Sequence, residues 1–357
     1  MIELEPRPVP SLQMSVLSPL VALVITVGLA GLLFAALGKD PARGLAVFLI
    51  EPFNGTRALT ELALKATPLI LISLGLSLCY RSNVWNIGAE GQYLLGAIAG
   101  GWLALFVTDE AIGIHRWAFF PLVTVAGALG GALWAGIVAF LRDRFHASEI
   151  LVSLMLVYVA NLLLSYLVFG PWKDPHGFNF PQTVNFAPQT ELPRLLPGMR
   201  VHFGFLLALA TAGAMWAFMF RMHRGIQLQV GGPAPAAARY AGFSSRSALW
   251  TTLLLSGGLA GVAGAFEVAG PMGQLTPYVA SGYGFTAIIV AFVGRLHPLG
   301  CVLASVLLSM FLIGGELAQS RVGLPSALSG VFQGVLLFSL LACDTFILFR
   351  LRWRRSA

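Results

Sequence analysis

The sequence predicts an all-α membrane protein, a polytopic helical bundle of about ten transmembrane helices with broken or re-entrant segments. Of its 357 residues, 57% are hydrophobic and only 10% are charged, whereas charged residues make up about 25% of ordinary soluble domains. The mean hydropathy of +0.81 comes from separate apolar runs, several of them near the roughly 20 residues that cross a bilayer as a helix. A single soluble core is therefore excluded.

The apolar runs define ten candidate spans. They are Val16–Leu37, Leu59–Tyr80, Gln92–Val107, Trp117–Leu141, Ile150–Phe169, Phe203–Phe220, Ala248–Ala269, Phe285–Val293, Leu299–Gly315 and Leu324–Phe349. The eighth is too short to cross as an ordinary helix, and short apolar segments beside glycine often mark a broken or re-entrant helix. The first run is too long for a signal-peptide core, so we expect it to be a retained membrane helix.

Lysine and arginine predict the orientation, because cytoplasmic loops carry an excess of them. The basic residues form three clusters: Arg142 and Arg144; Arg221, Arg224, Arg239 and Arg246; and Arg350, Arg352, Arg354 and Arg355. Ten spans with both termini in the cytoplasm place all three clusters on the cytoplasmic side. The 170–200 loop, with six prolines, is then extracytoplasmic, and the whole chain 1–357 is expected to form a single membrane domain.

Several other functions leave no trace in the sequence. The net charge of +7 does not form a basic stripe interleaved with aromatics, so no nucleic-acid partner is expected. Cys79, Cys301 and Cys343 lie in or beside apolar runs, which predicts buried thiols and no disulfide. We find no metal-ligand spacing, no catalytic motif and no phosphate-binding loop. The chain is therefore expected to be no enzyme and to hold no metal.

Three glycine pairs have the GxxxG spacing that lets helix backbones approach closely. They are Gly96 and Gly100, Gly127 and Gly131, and Gly257 and Gly261. This pattern predicts a compact bundle and does not indicate what the bundle carries.

The most informative segment joins the second and third spans and reads YRSNVWNIGAEGQ, from Tyr80 to Gln92. A charge at the centre of a bilayer costs about 2.5–3.5 kcal/mol on insertion scales, so polar residues there face water or a polar partner. We expect Gly88 and Gly91 to provide backbone geometry that an unbroken helix forbids. The alternative is an ordinary cytoplasmic turn whose polar residues are solvated.

The string NVWNIGAEGQ resembles the signature of ABC transporter permeases of the ribose and branched-chain amino acid type. The preceding KATPLILISLGLSLCYR resembles more narrowly the branch that imports nucleosides with basic membrane lipoproteins. The resemblance in layout covers nearly the whole chain. It implies a translocation pathway near Trp85, Asn86, Glu90 and Gln92, with Glu267 in the corresponding interruption of the second half. For Trp85 and Glu267, a place at the membrane interface is the alternative.

The 221–247 loop contains short alanine-rich pieces bounded by glycine and proline, which predict a small helix at the membrane surface. In the family this loop resembles the cytoplasmic coupling helix that docks on the ATPase. The residues that fit the pattern are Gly232, Ala237, Ala238, Arg239, Tyr240, Ala241 and Gly242. Ala234 stands where the family usually has Asn, so we expect the side-chain N-cap of this helix to be lost. A plain basic cytoplasmic loop is the alternative.

The resemblance implies the permease subunit of an ABC importer in a bacterial inner membrane, which moves nucleosides or a related small polar solute by alternating access. Its implied partners are a separate ATPase subunit that binds the ATP, a second identical or homologous permease subunit, an extracytoplasmic substrate-binding protein and membrane lipid. No cofactor is implied for the chain itself. The alternatives are an ABC permease for simple sugars, a secondary transporter driven by an ion gradient, and an intramembrane enzyme.

Overall fold

The computed structural model describes residues 2–7, 11–109, 112–325 and 327–353. In these ranges the chain forms thirteen α-helices and one pair of short strands. The helices are α1 Leu12–Ala36, α2 Pro41–Leu45, α3 Thr56–Arg81, α4 Ala89–Asp109, α5 Arg116–Phe145, α6 Glu149–Phe169, α7 Gly204–Arg221, α8 His223–Gly231, α9 Pro235–Tyr240, α10 Ser245–Glu267, α11 Tyr283–Val293, α12 Pro298–Val322 and α13 Leu328–Leu348. The strands are β1 Ile2–Pro6 and β2 Phe349–Trp353.

The described helices confirm the predicted membrane bundle. Nine of them are long and apolar enough to cross a membrane: α1, α3 to α7, α10, α12 and α13. The eighth predicted span corresponds to α11, which has only 11 residues, as its short apolar run indicates. Nine predicted spans therefore correspond to long helices, and the remaining one is a short helix.

Two predicted boundaries near the end of the chain are wrong. The ninth span was expected to end at Gly315, but α12 continues to Val322. A Cβ on Gly314 would lie 2.3 Å from the carbonyl oxygen of Phe48, and one on Gly315 would lie 2.7 Å from the side chain of Ser329. These glycines allow close packing inside a continuous helix and do not end it.

The last predicted span, Leu324–Phe349, begins too early, since α13 starts at Leu328. After α13 the chain forms β2, which pairs antiparallel with β1. Arg350 makes an ion pair with Glu5 at 2.9 Å, which explains the alternation of charge in both segments. The pairing places the described ends of the chain side by side, while the side of the membrane on which they lie stays a prediction. Arg354 and Arg355 of the C-terminal basic cluster lie outside the described residues.

The contacts divide the chain into two compact units, residues 60–306 and residues 1–59 with 307–357. In the second of these, α1 packs against α13. Its core contains four phenylalanines in edge or tilted contact, with ring centroids 5.6 Å apart for Phe34 and Phe332, 4.9 Å for Phe48 and Phe332, and 5.5 Å for Phe48 and Phe311.

The larger unit is built on glycine contacts among α4, α5 and α10. A Cβ on Gly261 would lie 2.0 Å from the carbonyl oxygen of Gly127, and a Cβ on Gly96 would lie 2.1 Å from the carbonyl oxygen of Gly261. A Cβ on Gly131 would lie 2.1 Å from the carbonyl oxygen of Gly257. Members of all three predicted GxxxG pairs therefore meet at one place, and the three helices approach with backbone against backbone.

Replacing Gly261 by Ala should destabilise the protein, because the added methyl group meets a backbone oxygen that cannot rotate away. We expect a loss at the upper end of the roughly 1–3 kcal/mol that overpacking costs, measured as a lower melting temperature in detergent. Gly258→Ala is the matched control, since its nearest neighbour would be 3.6 Å away. Equal melting temperatures for the two variants would contradict this account of the core.

Candidate functional site

A polar turn of residues 82–88, here called the first interruption, separates α3 from α4. The chain reverses at Asn83, whose φ of 55° lies in the left-handed region that Asn tolerates better than most residues. The amide of Val84 donates to the carbonyl of Cys79 at 2.9 Å and closes the turn. The predicted interruption between the second and third spans is therefore present in the fold.

The expected role of its glycines is wrong. Gly88 and Gly91 were expected to provide unusual backbone geometry, but neither has a positive φ. A Cβ on Gly88 would instead lie 2.7 Å from the carbonyl oxygen of Ser153, and one on Gly91 would lie 3.1 Å from the indole nitrogen of Trp134. The two glycines let α6 and α5 approach the start of α4.

Asn86 and Gln92 form a buried reciprocal amide pair, with 0% and 1% of their surfaces exposed. Asn86 Nδ2 donates to Gln92 Oε1 at 2.9 Å, and Gln92 Nε2 donates to Asn86 Oδ1 at 3.0 Å. Asn86 Nδ2 also donates to Ser256 Oγ at 3.1 Å. Ser256 follows Ser245 by eleven residues, which is roughly 16 Å along α10 at about 1.5 Å per residue. The first interruption therefore reaches well along the bundle.

Glu90 is 2% exposed and joins the first interruption to a second one, residues 268–282, which separates α10 from α11. Its carboxylate oxygens accept hydrogen bonds from the amides of Gly282, at 2.8 Å, and Gly284, at 2.5 Å. Gly282 is the N-cap residue of α11 and Gly284 lies in its first turn, while Glu90 itself lies in the first turn of α4. The positive ends of two helices thus converge on one carboxylate.

The side chain of Trp85 lies apart from this buried group. It is 38% exposed, and its indole nitrogen donates to Asn83 Oδ1 at 3.2 Å. Its ring contacts Tyr80 with the centroids 5.3 Å apart. Tyr80, by contrast, is buried, and its hydroxyl donates to the carbonyl of Asn86 at 3.2 Å. Trp85 therefore keeps a free face beside a well-anchored neighbour.

Glu267 is half-buried and is the last residue of α10. A turn of π-helix, Val268–Met272, follows it. Glu267 and Glu90 both lie within electrostatic range of the buried hydroxyl of Tyr93, so the structure brings Glu267 near the cluster of Asn86, Glu90 and Gln92. Whether any of the five predicted residues lines a pathway stays a prediction.

The second interruption is hydrogen-bonded to the 170–200 loop, which the sequence predicted only to be extracytoplasmic. The amide of Thr183 donates to Leu275 O at 3.0 Å, and the amide of Leu275 donates to Thr183 Oγ1 at 3.0 Å. The amide of Phe186 donates to Gly273 O at 2.8 Å. These residues were missed because isolated polar residues in a proline-rich loop carry no periodic signal.

His202, just after this loop, is buried against the same region. Its Nδ1 accepts from the amide of Gly204 at 3.1 Å, and its ring meets Phe266 edge-on, with centroids 5.8 Å apart. Burial lowers the pKa of His202 to about 4. The imidazole is therefore neutral near pH 7 and acts here as an acceptor that ends the loop.

The 221–247 segment contains two short helices, α8 and α9, which agree with the predicted surface helix. Ala234 occupies the N-cap position of α9 with no side-chain hydrogen bond, so the expected loss of the cap is confirmed. Gly242, with φ 79°, ends the helix turn. Tyr240 is 97% exposed and Ala238 is 5% exposed, while Ala237, Arg239 and Ala241 are exposed. The segment therefore presents a ridge around Tyr240.

A cavity of about 410 Å³ lies beside this ridge. Ser82, Asn83 and Val84 of the first interruption line it together with residues of α8, α9 and the start of α10. At its rim, Arg142 pairs with Glu149 at 3.1 Å, and Arg246 pairs with Asp143 at 2.7 Å. The 221–247 segment and the first interruption therefore share one surface.

Among the described residues, no group of three or more His, Cys, Asp or Glu side chains could hold a metal ion. Cys79, Cys301 and Cys343 are all buried free thiols. The arrangement around Asn86, Glu90 and Gln92 is one of buried hydrogen bonds inside an apolar bundle.

Replacing Glu90 by Gln should destabilise the protein, because an amide can offer only one acceptor to two amide donors. A hydrogen bond to a charged group contributes about 1.5–3 kcal/mol, so we expect a clear fall in melting temperature in detergent. Glu61→Gln is the control, since Glu61 pairs with Arg200 at 3.2 Å near the surface and such pairs contribute about 0–1 kcal/mol. An unchanged melting temperature for Glu90→Gln would show that the bridge does not hold the interruptions.

Similarity to known proteins covers most of the chain. Residues 58–341 match the family model described as branched-chain amino acid transport system, permease component. The glucose ABC transporter permease protein TsgB13 of Haloferax volcanii is 34% identical over 98% of this chain and 93% of its own length. The guanosine ABC transporter permease protein NupP of Bacillus subtilis is 30% identical over 90% of this chain and 91% of its own.

A more distant relative is the probable riboflavin import permease protein RfuC of Treponema pallidum, 25% identical over 79% of this chain and 74% of its own. No solved structure matches the chain at a significant level. Proteins of this family are transport subunits of ABC systems, which as a class work with ATPase subunits and substrate-binding proteins. The match over residues 58–341, together with nine helices in the described chain that can cross a membrane, makes this chain a member of the family of branched-chain amino acid type ABC transporter permeases.

Proposed function

We propose that this ABC importer permease moves a small, uncharged, hydroxyl-bearing solute by alternating access, and that the solute is a nucleoside or a close relative of one. The observation that carries the proposal is the carboxylate of Glu90, which neutralises the positive ends of α4 and α11. In many transporters such helix ends attract an anionic group of the substrate. Here the chain supplies that anion itself, which favours a neutral solute.

The names of the relatives support the same solute class. Glucose, guanosine and riboflavin appear in them, and all three are uncharged molecules with several hydroxyl groups. Including three further relatives, four proteins similar to this chain carry guanosine or nucleoside in their names, which favours the nucleoside. A simple sugar is the second candidate, because the relative that is 34% identical over 98% of this chain is named for glucose.

The predicted pathway residues take two roles in the proposed mechanism. Trp85, with a free face, is placed to stack on a base or sugar ring. Asn86, Glu90 and Gln92 are engaged with neighbouring groups, so they hold the backbone that shapes the route, and Glu267 lies at the edge of the second interruption. In an otherwise apolar bundle, backbone released from helices needs such partners or water.

Partners complete the proposed machine. An ATPase subunit binds the ridge of Gly232, Ala237, Ala238, Arg239, Tyr240 and Gly242 from the cytoplasm, where both termini also lie. That subunit supplies the nucleotide site, and this chain needs no cofactor of its own. A second permease subunit, identical or homologous, closes the pathway, and a substrate-binding protein delivers the solute at the 170–200 loop. The membrane is the bacterial inner membrane. The family match does not favour a secondary transporter or an intramembrane enzyme.

Replacing Arg239 and Tyr240 together by Ala should weaken co-purification with the ATPase subunit by at least about tenfold, the effect of about 1.4 kcal/mol. Exposed Tyr and Arg are common anchors of interfaces, and their removal leaves membrane insertion intact. Phe178→Ala is the control, because Phe178 is 94% exposed but lies in the loop assigned to the other side. Unchanged recovery of the ATPase with the double variant would remove the docking assignment.

Uptake into proteoliposomes tests the solute. The complete assembly, with ATPase and binding protein, should take up radiolabelled guanosine only when ATP is present on the side of the membrane that carries the ATPase. Unlabelled adenosine should compete, while guanosine monophosphate should not, because Glu90 already occupies the helix end that would otherwise bind its phosphate. Competition by glucose and not by adenosine would favour the sugar. Competition by the monophosphate as strong as that by adenosine would contradict a neutral solute.

A further inference from the structure

The guanidinium of Arg81, the last residue of α3, is half-buried at a junction of four elements. Its Nε donates to the carbonyl of Leu296 at 2.8 Å, and its Nη1 donates to Gln229 Oε1 at 2.7 Å. The guanidinium carbon lies 5.2 Å from the ring centroid of Phe220. Leu296 connects α11 to α12, Gln229 belongs to α8, and Phe220 belongs to α7. Arg81 thus joins the end of α3, which precedes the first interruption, to the chain just after α11, which follows the second interruption. The same side chain also contacts the 221–247 segment.

The contacts on the α8 side are rigid. Gln229 uses its own amide nitrogen to donate to the carbonyls of Met219, at 2.5 Å, and Gly225, at 3.3 Å. The side-chain oxygen that faces Arg81 is therefore held in place from behind. A movement of α8 must carry this oxygen with it.

The contact on the α11 side falls on a strained piece of backbone. Arg295 and Leu296 have φ values of 57° and 53°, two successive left-handed residues that are not glycine. Such residues persist only where their surroundings hold them, and they are common at switch regions. Arg81 holds the carbonyl of the second one. Burial and the nearby charge of Arg81 also lower the pKa of the adjacent His297, so this connection carries little positive charge from the imidazole.

A second point of contact lies at the backbone of α3. A Cβ on Gly232 would lie 2.4 Å from the carbonyl oxygen of Arg81 and 3.1 Å from the amide nitrogen of Asn83. The chain just after α8 therefore rests directly on the start of the first interruption. The 221–247 segment cannot shift towards α3 without moving that turn.

We propose that Arg81 is the positioning residue that transmits movement of the 221–247 segment to both interruptions. The inference rests on the proposed function, since an ATPase must move the segment. A displacement of α8 acts through Gln229 on Arg81, through Arg81 on the Leu296 carbonyl, and so on the C-terminal end of α11. The N-terminal end of α11 is held by Glu90, so the displacement changes how the two interruptions face each other. Hydrogen-bonded links between two-state elements can carry coupling of this kind.

The decisive measurement is guanosine taken up per ATP hydrolysed by the reconstituted assembly. Arg81→Gln and Gln229→Leu should insert, co-purify with the ATPase and hydrolyse ATP, yet their uptake per ATP should fall by about tenfold or more, a usual size for coupling between sites. Arg81→Lys should fall in between, because an ammonium keeps the charge but lacks the planar fork of donors. A merely structural role would lower assembly and not this ratio.

Arg7→Gln is the matched control, since Arg7 Nε also donates one hydrogen bond to a backbone carbonyl, that of Phe349, at 3.3 Å. Its ratio of uptake to hydrolysis should equal that of the unmodified assembly. If Arg81→Gln does not insert, Gln229→Leu decides, because it removes the link to α8 while Arg81 keeps its hydrogen bond to Leu296 O. A normal ratio in Gln229→Leu and Arg81→Gln would overturn the inference alone. Absence of ATP-driven uptake of any solute by the unmodified assembly would overturn the proposed function and the inference with it.

Discussion

A backbone that leaves helical geometry inside an apolar bundle must find new partners for its amide and carbonyl groups, and the rest of this fold depends on how that is done. Glu90 takes the two free amides at the start of α11, while Asn86 serves the first interruption through Gln92, Ser256 and Gly88. Two breaks that lie far apart in sequence thereby share one buried polar group. The cost of placing a carboxylate there is offset by the positive ends of two helices.

The buried polar residues Asn86, Glu90 and Gln92 are held by a scaffold of closely packed helices. The glycine contacts among α4, α5 and α10 bring three backbones together. The distance between α4 and α10 is therefore determined by contacts of the main chain and not by flexible side chains. Gly88 and Gly91 allow the same close packing of α4 against α6 and α5. The permease thus combines close backbone packing with irregular segments, two features that membrane proteins often place side by side.

Hydropathy alone predicted the membrane bundle and nine of its long helices, because runs of about 20 apolar residues have few other uses. The polar string after α3 correctly marked the interruption, and the GxxxG pairs correctly marked close packing. Two expectations at glycines differ from the structure: the ninth span was predicted to end at Gly315, and Gly88 was expected to provide special backbone geometry. Both are packing positions, which only the neighbouring helix reveals.

Contacts between distant parts of the chain left no local signal at all. Thr183 and Leu275, or Arg81 and Gln229, are ordinary polar or apolar residues whose meeting depends on the whole arrangement of helices. The strand pair at the chain ends was missed for the same reason, although its alternating acids and arginines are visible in hindsight. Residue roles in transport follow from contacts with solute and partners, which no pattern within one chain supplies.

The pairing of β1 with β2 has a topological consequence. Because Ile2 lies opposite Trp353 in the register, the first and last described strands are neighbours, and a short flexible linker would join them. The order in which the helices are synthesised is then separable from the order in which they pack. A circularly permuted chain, with its described ends joined and a new start at an exposed loop, would test whether α1 must insert before all other helices for the protein to reach this fold.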